Sequence, residues 1–215
     1  MNNNVISKFQ ALMADQLPVV VPLIRRGFDK AKLIDFLAPL LLRLYLAPVM
    51  WMAGVKKFSH FSATAEWFGN SEWGLGLPAP YVLVFFVALF ETLGAICLTL
   101  GLATRLMSLP LMVIMIVAGV TAHLKNGWLA IASADGLFAT ERTREAIAQL
   151  EGAKEFLLNQ GMLDALNEYG GIVVLNNGIE FATTYFVMLL VLFFTGGGRF
   201  VSADYWLVRK YFAQD

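Results

Sequence analysis

The sequence predicts an all-α integral membrane protein: a four-transmembrane-helix bundle with short amphipathic helices at the N-terminus and in the loop between spans three and four. Composition comes first, since the 215 residues are 58% hydrophobic and only 15% charged, against ~45–50% and ~25% in soluble domains. Mean hydropathy is +0.65. The apolar residues also fall in blocks long enough to cross a bilayer. A single membrane domain over 1–215 is the natural division for this length.

Basic and acidic residues number 16 each, so no positive excess points to nucleic acid. Cys97 is the single cysteine, which excludes a disulfide framework, a CxxC redox pair and a cysteine-based zinc site within one chain. The GGGR at 196–199 follows a span and joins no strand to a helix, so it is not a nucleotide-binding motif. A c-type haem is excluded as well, and a bis-histidine haem would need His60 and His123 together.

In chain order, the opening MNNNVISKFQALMADQLP lacks the charged and apolar regions of a cleavable signal, so insertion through the chain's own spans is expected. Val5, Phe9, Leu12 and Met13 recur at helical spacing and predict a short interfacial helix, interrupted by Pro18 and Pro22. Span one is expected at about 36–55, with Arg43 its only charge and Pro39 and Pro48 as kink sites. The following loop, rich in Gly, Ser, Trp and Pro, suits a re-entrant or interfacial segment. It places Trp51, Trp67 and Trp73 at headgroup level.

Span two, about 81–103, carries Glu91 close to its middle. A hairpin of a few residues around Thr104 and Arg105 leads to span three at about 106–124, making the two antiparallel neighbours. A polar insertion follows at about 125–170. Within it Ile147, Leu150, Leu157 and Leu158 are spaced for one or two amphipathic helices on the membrane surface. Span four is expected at about 172–194, after which the tail leaves the membrane. Four spans put both termini on one side. That side, with the hairpin, holds nine basic residues against six in the opposite loops. The positive-inside rule therefore predicts cytoplasmic termini and an extracytoplasmic insertion.

An ionised acid at mid-membrane costs ~2.5–3.5 kcal/mol on insertion scales, so Glu91 needs a counter-ion, a proton or a function. Helical rise puts Arg43 within reach of Glu91, and an Arg43–Glu91 pair is expected, either as a brace of the bundle or as part of a working site. Asn176, Glu180, Thr183 and Thr184 share one face of span four, and His123 and Lys57 close neighbouring span ends. Glu180, His123, Lys57, Asn176 and Thr184 form a candidate ligand or proton site, with interhelical hydrogen bonding and snorkelling lysines as the structural alternative. Met112, Met115 and His123 also share a helical face and make a candidate copper set, although methionine in an apolar helix is ordinarily filler. Cys97 lies off the face of Glu91 and reads as a packed thiol.

LLRLYLAPVMWMAGVKKF, LFETLGAICLTLGLATR and a closing TGGGRFVSADYWL resemble the DoxX family of bacterial inner-membrane proteins, over about 40–205. The insertion at 125–170, with NNGIEFATTYF and GGGRFVSADYWL, resembles its HvfX-type branch. The resemblance implies a four-helix membrane bundle with Arg43, Gly54, Lys57, Glu91, Gly94, Gly101, Arg105 and Asp204 at motif positions. The family takes its name from a thiosulfate:quinone oxidoreductase subunit, and the branch is encoded beside enzymes that modify small copper-binding secreted peptides. Three functions follow as expectations. One is a subunit or accessory of a membrane redox system, linked to quinone and to membrane or operon-encoded partners. The others are a copper-handling or peptide-export accessory and a non-catalytic scaffold.

Overall fold

The computed structural model describes Pro22, residues 32–168 and residues 170–211. The expected N-terminal helix carrying Val5, Phe9, Leu12 and Met13 lies outside the described residues. A 3-10 turn at Lys32–Ile34 leads into α1, Leu37–Ser59, which contains Pro48. The chain breaks at His60 and resumes as α2, Phe61–Gly69. The loop expected to be re-entrant or interfacial is thus partly helical.

α3, Pro80–Leu100, begins on a proline, whose missing N–H would have had no partner in the first turn. It stops at Gly101, whose φ of 65° suits a residue without a Cβ. α4, Thr104–Ala118, runs on through a π turn at Gly119–His123 and a 3-10 turn at Leu124–Asn126. The polar insertion folds into α5, Glu141–Asn159, opened by a reciprocal cap between Thr140 and Thr143, and the short α6, Leu163–Asn167. α7 is Glu180–Thr195 and α8 is Ala203–Tyr211.

Among the described residues, three stretches are long and apolar enough to cross a membrane: Lys32–Ser59, Pro80–Leu100 and Thr104–Asn126. α7 has 16 residues, a length of ~24 Å at ~1.5 Å per residue, against a hydrocarbon core of ~30 Å. The helix expected from residue 172 starts only at Glu180 because the chain before it is committed elsewhere. The amides of Asn177, Gly178, Ile179 and Glu180 donate to the carbonyls of Ala130, Leu129, Gly127 and Trp128, at 2.9–3.0 Å. Gly178 permits this approach, since a Cβ there would meet three of those carbonyl oxygens.

α1 packs chiefly on α3 and α4 on α7, while α3–α4 and α1–α7 contacts close a ring of four helices. Leu46, Met50, Leu98, Leu111, Leu189 and Leu192 fill its centre. A second cluster, Ala65, Phe68 and Val84, seats α2 on α3. Lipid is as apolar as leucine, so helix association in a bilayer depends on close approach at small residues. Gly54 lies against Thr92 and Ala88, and Gly94 against Leu111.

Gly54→Ala drives a methyl group into the α3 backbone, where the Thr92 amide nitrogen would lie 2.8 Å from the new Cβ. It is expected to lower unfolding stability in detergent by about 1–3 kcal/mol. Gly152→Ala, with no atom within 4 Å of the new Cβ on α5, leaves stability unchanged or raises it. Thermal unfolding of the two variants decides the matter.

Candidate functional site

Glu91 sits nine residues from one end of α3 and eleven from the other, and is 2% exposed. Its partner is Lys57. The ammonium Nζ donates to Oε2 at 2.6 Å and to Oε1 at 2.8 Å. The lysine side chain is 22% exposed and the carboxylate side chain 3%, so the pair is open only from the lysine. Helical side chains lean toward the helix N-terminus. α1 starts at the end of the bundle where α3 turns into α4, so Lys57 leans from its last turn inward to Glu91. One residue on, the buried Thr92 Oγ1 has no hydrogen-bond partner among the described residues.

The expected Arg43–Glu91 pair does not form. The same lean carries Arg43, 0% exposed, the other way, to the hairpin end. There Nη1 donates to Leu98 O at 3.2 Å and Nη2 to Val201 O at 2.9 Å. Leu98 is seven residues from Glu91, ~10.5 Å along α3. The guanidinium lies where a Cβ on Gly101 would be. Asp204 completes this knot, its carboxylate accepting from the amides of Ala103 at 2.6 Å and Thr104 at 2.9 Å. A carboxylate on the first amides of α4 satisfies donors that the helix cannot. Arg105 then donates to Phe194 O at 3.1 Å, tying the hairpin to the end of α7.

At the opposite end, the expected group of Glu180, His123, Lys57, Asn176 and Thr184 is divided. Lys57 belongs to Glu91. Asn176 precedes α7 and shares no helical face with Glu180. It is buried and donates to Asn126 O at 2.8 Å and Leu129 O at 2.6 Å, and its Oδ1 accepts from Arg142 Nε at 3.2 Å. Glu180 Oε2 accepts from the Ala130 amide at 2.9 Å, and Thr184 donates to Glu180 O at 2.8 Å. His123 Nδ1 and Asn126 Nδ2 both donate to Asn177 O at 3.0 Å. These side chains hold the loops together, with Asn126 and Arg142 as members that sequence spacing did not single out.

The copper set also separates. Met112 and Met115 lie in the apolar core. His123 is eight residues beyond Met115, ~12 Å along the axis and at the end of a π turn, too far to share one ion. Among the described residues no group of three or more His, Cys, Asp or Glu is placed to hold a metal. Cys97 is buried, as expected of a packed thiol.

Lys57–Glu91 is therefore the mid-span ion pair among the described residues. Lys57→Met leaves a buried carboxylate without its counter-ion and is expected to lower unfolding stability in detergent by about 3–5 kcal/mol. Lys57→Met combined with Glu91→Leu recovers most of that loss, since a paired apolar replacement removes both desolvation costs. A double variant no more stable than Lys57→Met alone contradicts a direct pairing.

Known proteins place the chain. The DoxX family model matches residues 38–124, the segment that holds Arg43, Lys57 and Glu91. The "Putative oxidoreductase CatD" of Bacillus subtilis (strain 168) is 30% identical over 98 residues, covering 46% of this chain and 69% of that protein. No solved structure gives a significant match. With its three apolar spans and this relative, the chain belongs to the DoxX family.

Proposed function

We propose that the chain is a membrane subunit of a redox system and that it exchanges protons with a quinone headgroup at Lys57–Glu91. The observation that carries this is an ammonium bound to both oxygens of a buried carboxylate at mid-span, with the lysine partly open. Reduction of a quinone to a quinol takes up two electrons and two protons. The electrons come from a partner protein in the membrane. Lys57 donates a hydrogen bond to one quinone carbonyl, and as that oxygen gains charge the proton follows from Nζ. Water at the open side of the lysine re-protonates the amine, which then delivers the second proton in the same way. Glu91 holds the ammonium in place beforehand. The relative named as an oxidoreductase supports the same class of activity.

The wider arrangement goes with this reading. α7 is a fourth crossing, completed by residues 172–179, whose irregular backbone is paired with the chain after α4. Four crossings put both termini on one side, and the basic excess assigns that side to the cytoplasm of a bacterial inner membrane. α5 and α6 are then extracytoplasmic and lie on the membrane surface. The HvfX-type assignment rests on NNGIEFATTYF and GGGRFVSADYWL, beyond the matched 38–124.

Decylubiquinone titrated into the purified full chain in nanodiscs should quench tryptophan fluorescence saturably. Lys57→Met should weaken binding about tenfold or more, the worth of a hydrogen bond from a charged donor. Wild-type protein that shows no saturable quenching rejects the quinone. For the topology, an alkaline phosphatase fusion within 134–138 should be active and one at the C-terminus inactive. The reverse pattern overturns the orientation.

A further inference from the structure

The hairpin end has an open cleft of about 740 Å³ between α4, the turn after α7 and α8. Arg105, Arg199 and Arg209 line it with the single carboxylate of Asp204. Both oxygens of that carboxylate are taken by the Ala103 and Thr104 amides. Arg199 is matched by Asp35, which accepts from its Nη2 through both oxygens at 2.8 Å. Arg105 and Arg209 have no acidic partner among the described residues. Arg105 uses one donor on Phe194 O, and the Arg209 guanidinium lies 5.7 Å from the Trp206 ring centroid. Each guanidinium carries five N–H donors, and both side chains are exposed, so donors remain free in the cleft. Leu106 and Val208 make part of the same lining apolar.

The depth of the cleft follows from its walls. Arg105 and Leu106 open α4, one of the three stretches suited to crossing a membrane. α8 exposes Trp206, Leu207, Val208 and Tyr211 beside Arg209 and Lys210, the composition of a helix lying at the headgroup level.

We propose that this cleft binds the phosphate of an anionic phospholipid, held by Arg105 and Arg209, with the first methylenes of an acyl chain against Leu106 and Val208. A soluble phosphate would match only the charged part of the lining, whereas a lipid matches both. The cationic excess selects a headgroup with net negative charge over a zwitterionic one, as basic pockets between spans do. The site is separate from Lys57–Glu91 and independent of the redox reading.

The test is native mass spectrometry of the full chain released from nanodiscs of equal parts phosphatidylglycerol and phosphatidylcholine. Wild type should retain phosphatidylglycerol preferentially. Arg209→Gln breaks no hydrogen bond of the fold and should lower that retention about fivefold, with a further loss when Arg105→Gln is added. Lys154→Gln, on the distant α5, should leave it unchanged. Equal retention of the two lipids overturns the proposal, as does full retention in Arg209→Gln with an unaltered melting temperature. Displacement of the lipid by inorganic phosphate in the buffer would reassign the site to a soluble anion.

Discussion

A guanidinium with no water around it organises this bundle. Arg43 is buried completely, and its donors reach the last turn of α3 and the segment before α8. A buried charge without partners costs several kcal/mol, so these carbonyls are held where Arg43 needs them. The glycines around it follow from the same demand. Gly101 leaves room for the guanidinium, and Gly197 lets Ser202, Thr104 and the Gly101 carbonyl crowd together. Once α1 is fixed on α3 here, the register further up is fixed as well, and Lys57 meets Glu91. The mid-span pair is thus positioned by a knot about two helical turns away.

Hydropathy made most of the architecture legible. Span two, expected at about 81–103, is Pro80–Leu100, because a long apolar run in lipid has few alternatives to a helix. Span four was misjudged for the complementary reason. Residues 172–179 are apolar enough to look like its first turns, yet the amides of residues 177–180 are claimed by residues 127–130, a pairing that no local pattern announces. Composition measures how dry a segment can be, not which backbone it bonds.

The site was less legible, and the errors share a cause. Depth counted along helix axes brought Arg43 to Glu91 and omitted the lean of side chains toward the N-terminus, which sends Arg43 away and Lys57 inward. Face periodicity grouped Met115 with His123 and omitted the ~12 Å of axial rise between them. Lys57 was grouped with Glu180 and His123, because a lysine near a span end is ordinarily expected to snorkel outward, and it pairs with Glu91 instead. Asp204 caps α4 from 100 residues away, and only the family resemblance picked it out.

The way polar groups are satisfied separates structural from reactive positions. At the hairpin end both Asp204 oxygens are taken by backbone amides. At the loop end Asn176 uses its carbonyl and amide groups on three different residues. Such fully used groups rigidify a fold but have little left to offer a ligand. The mid-span position differs in that the Lys57 side chain, although bonded to Glu91, is partly open. A site that must exchange a hydrogen bond with a visiting molecule needs such residual capacity. Bonds of this kind hold the two ends of the bundle, and between them the described residues place one ion pair at mid-span, the buried Glu91 with the partly open Lys57.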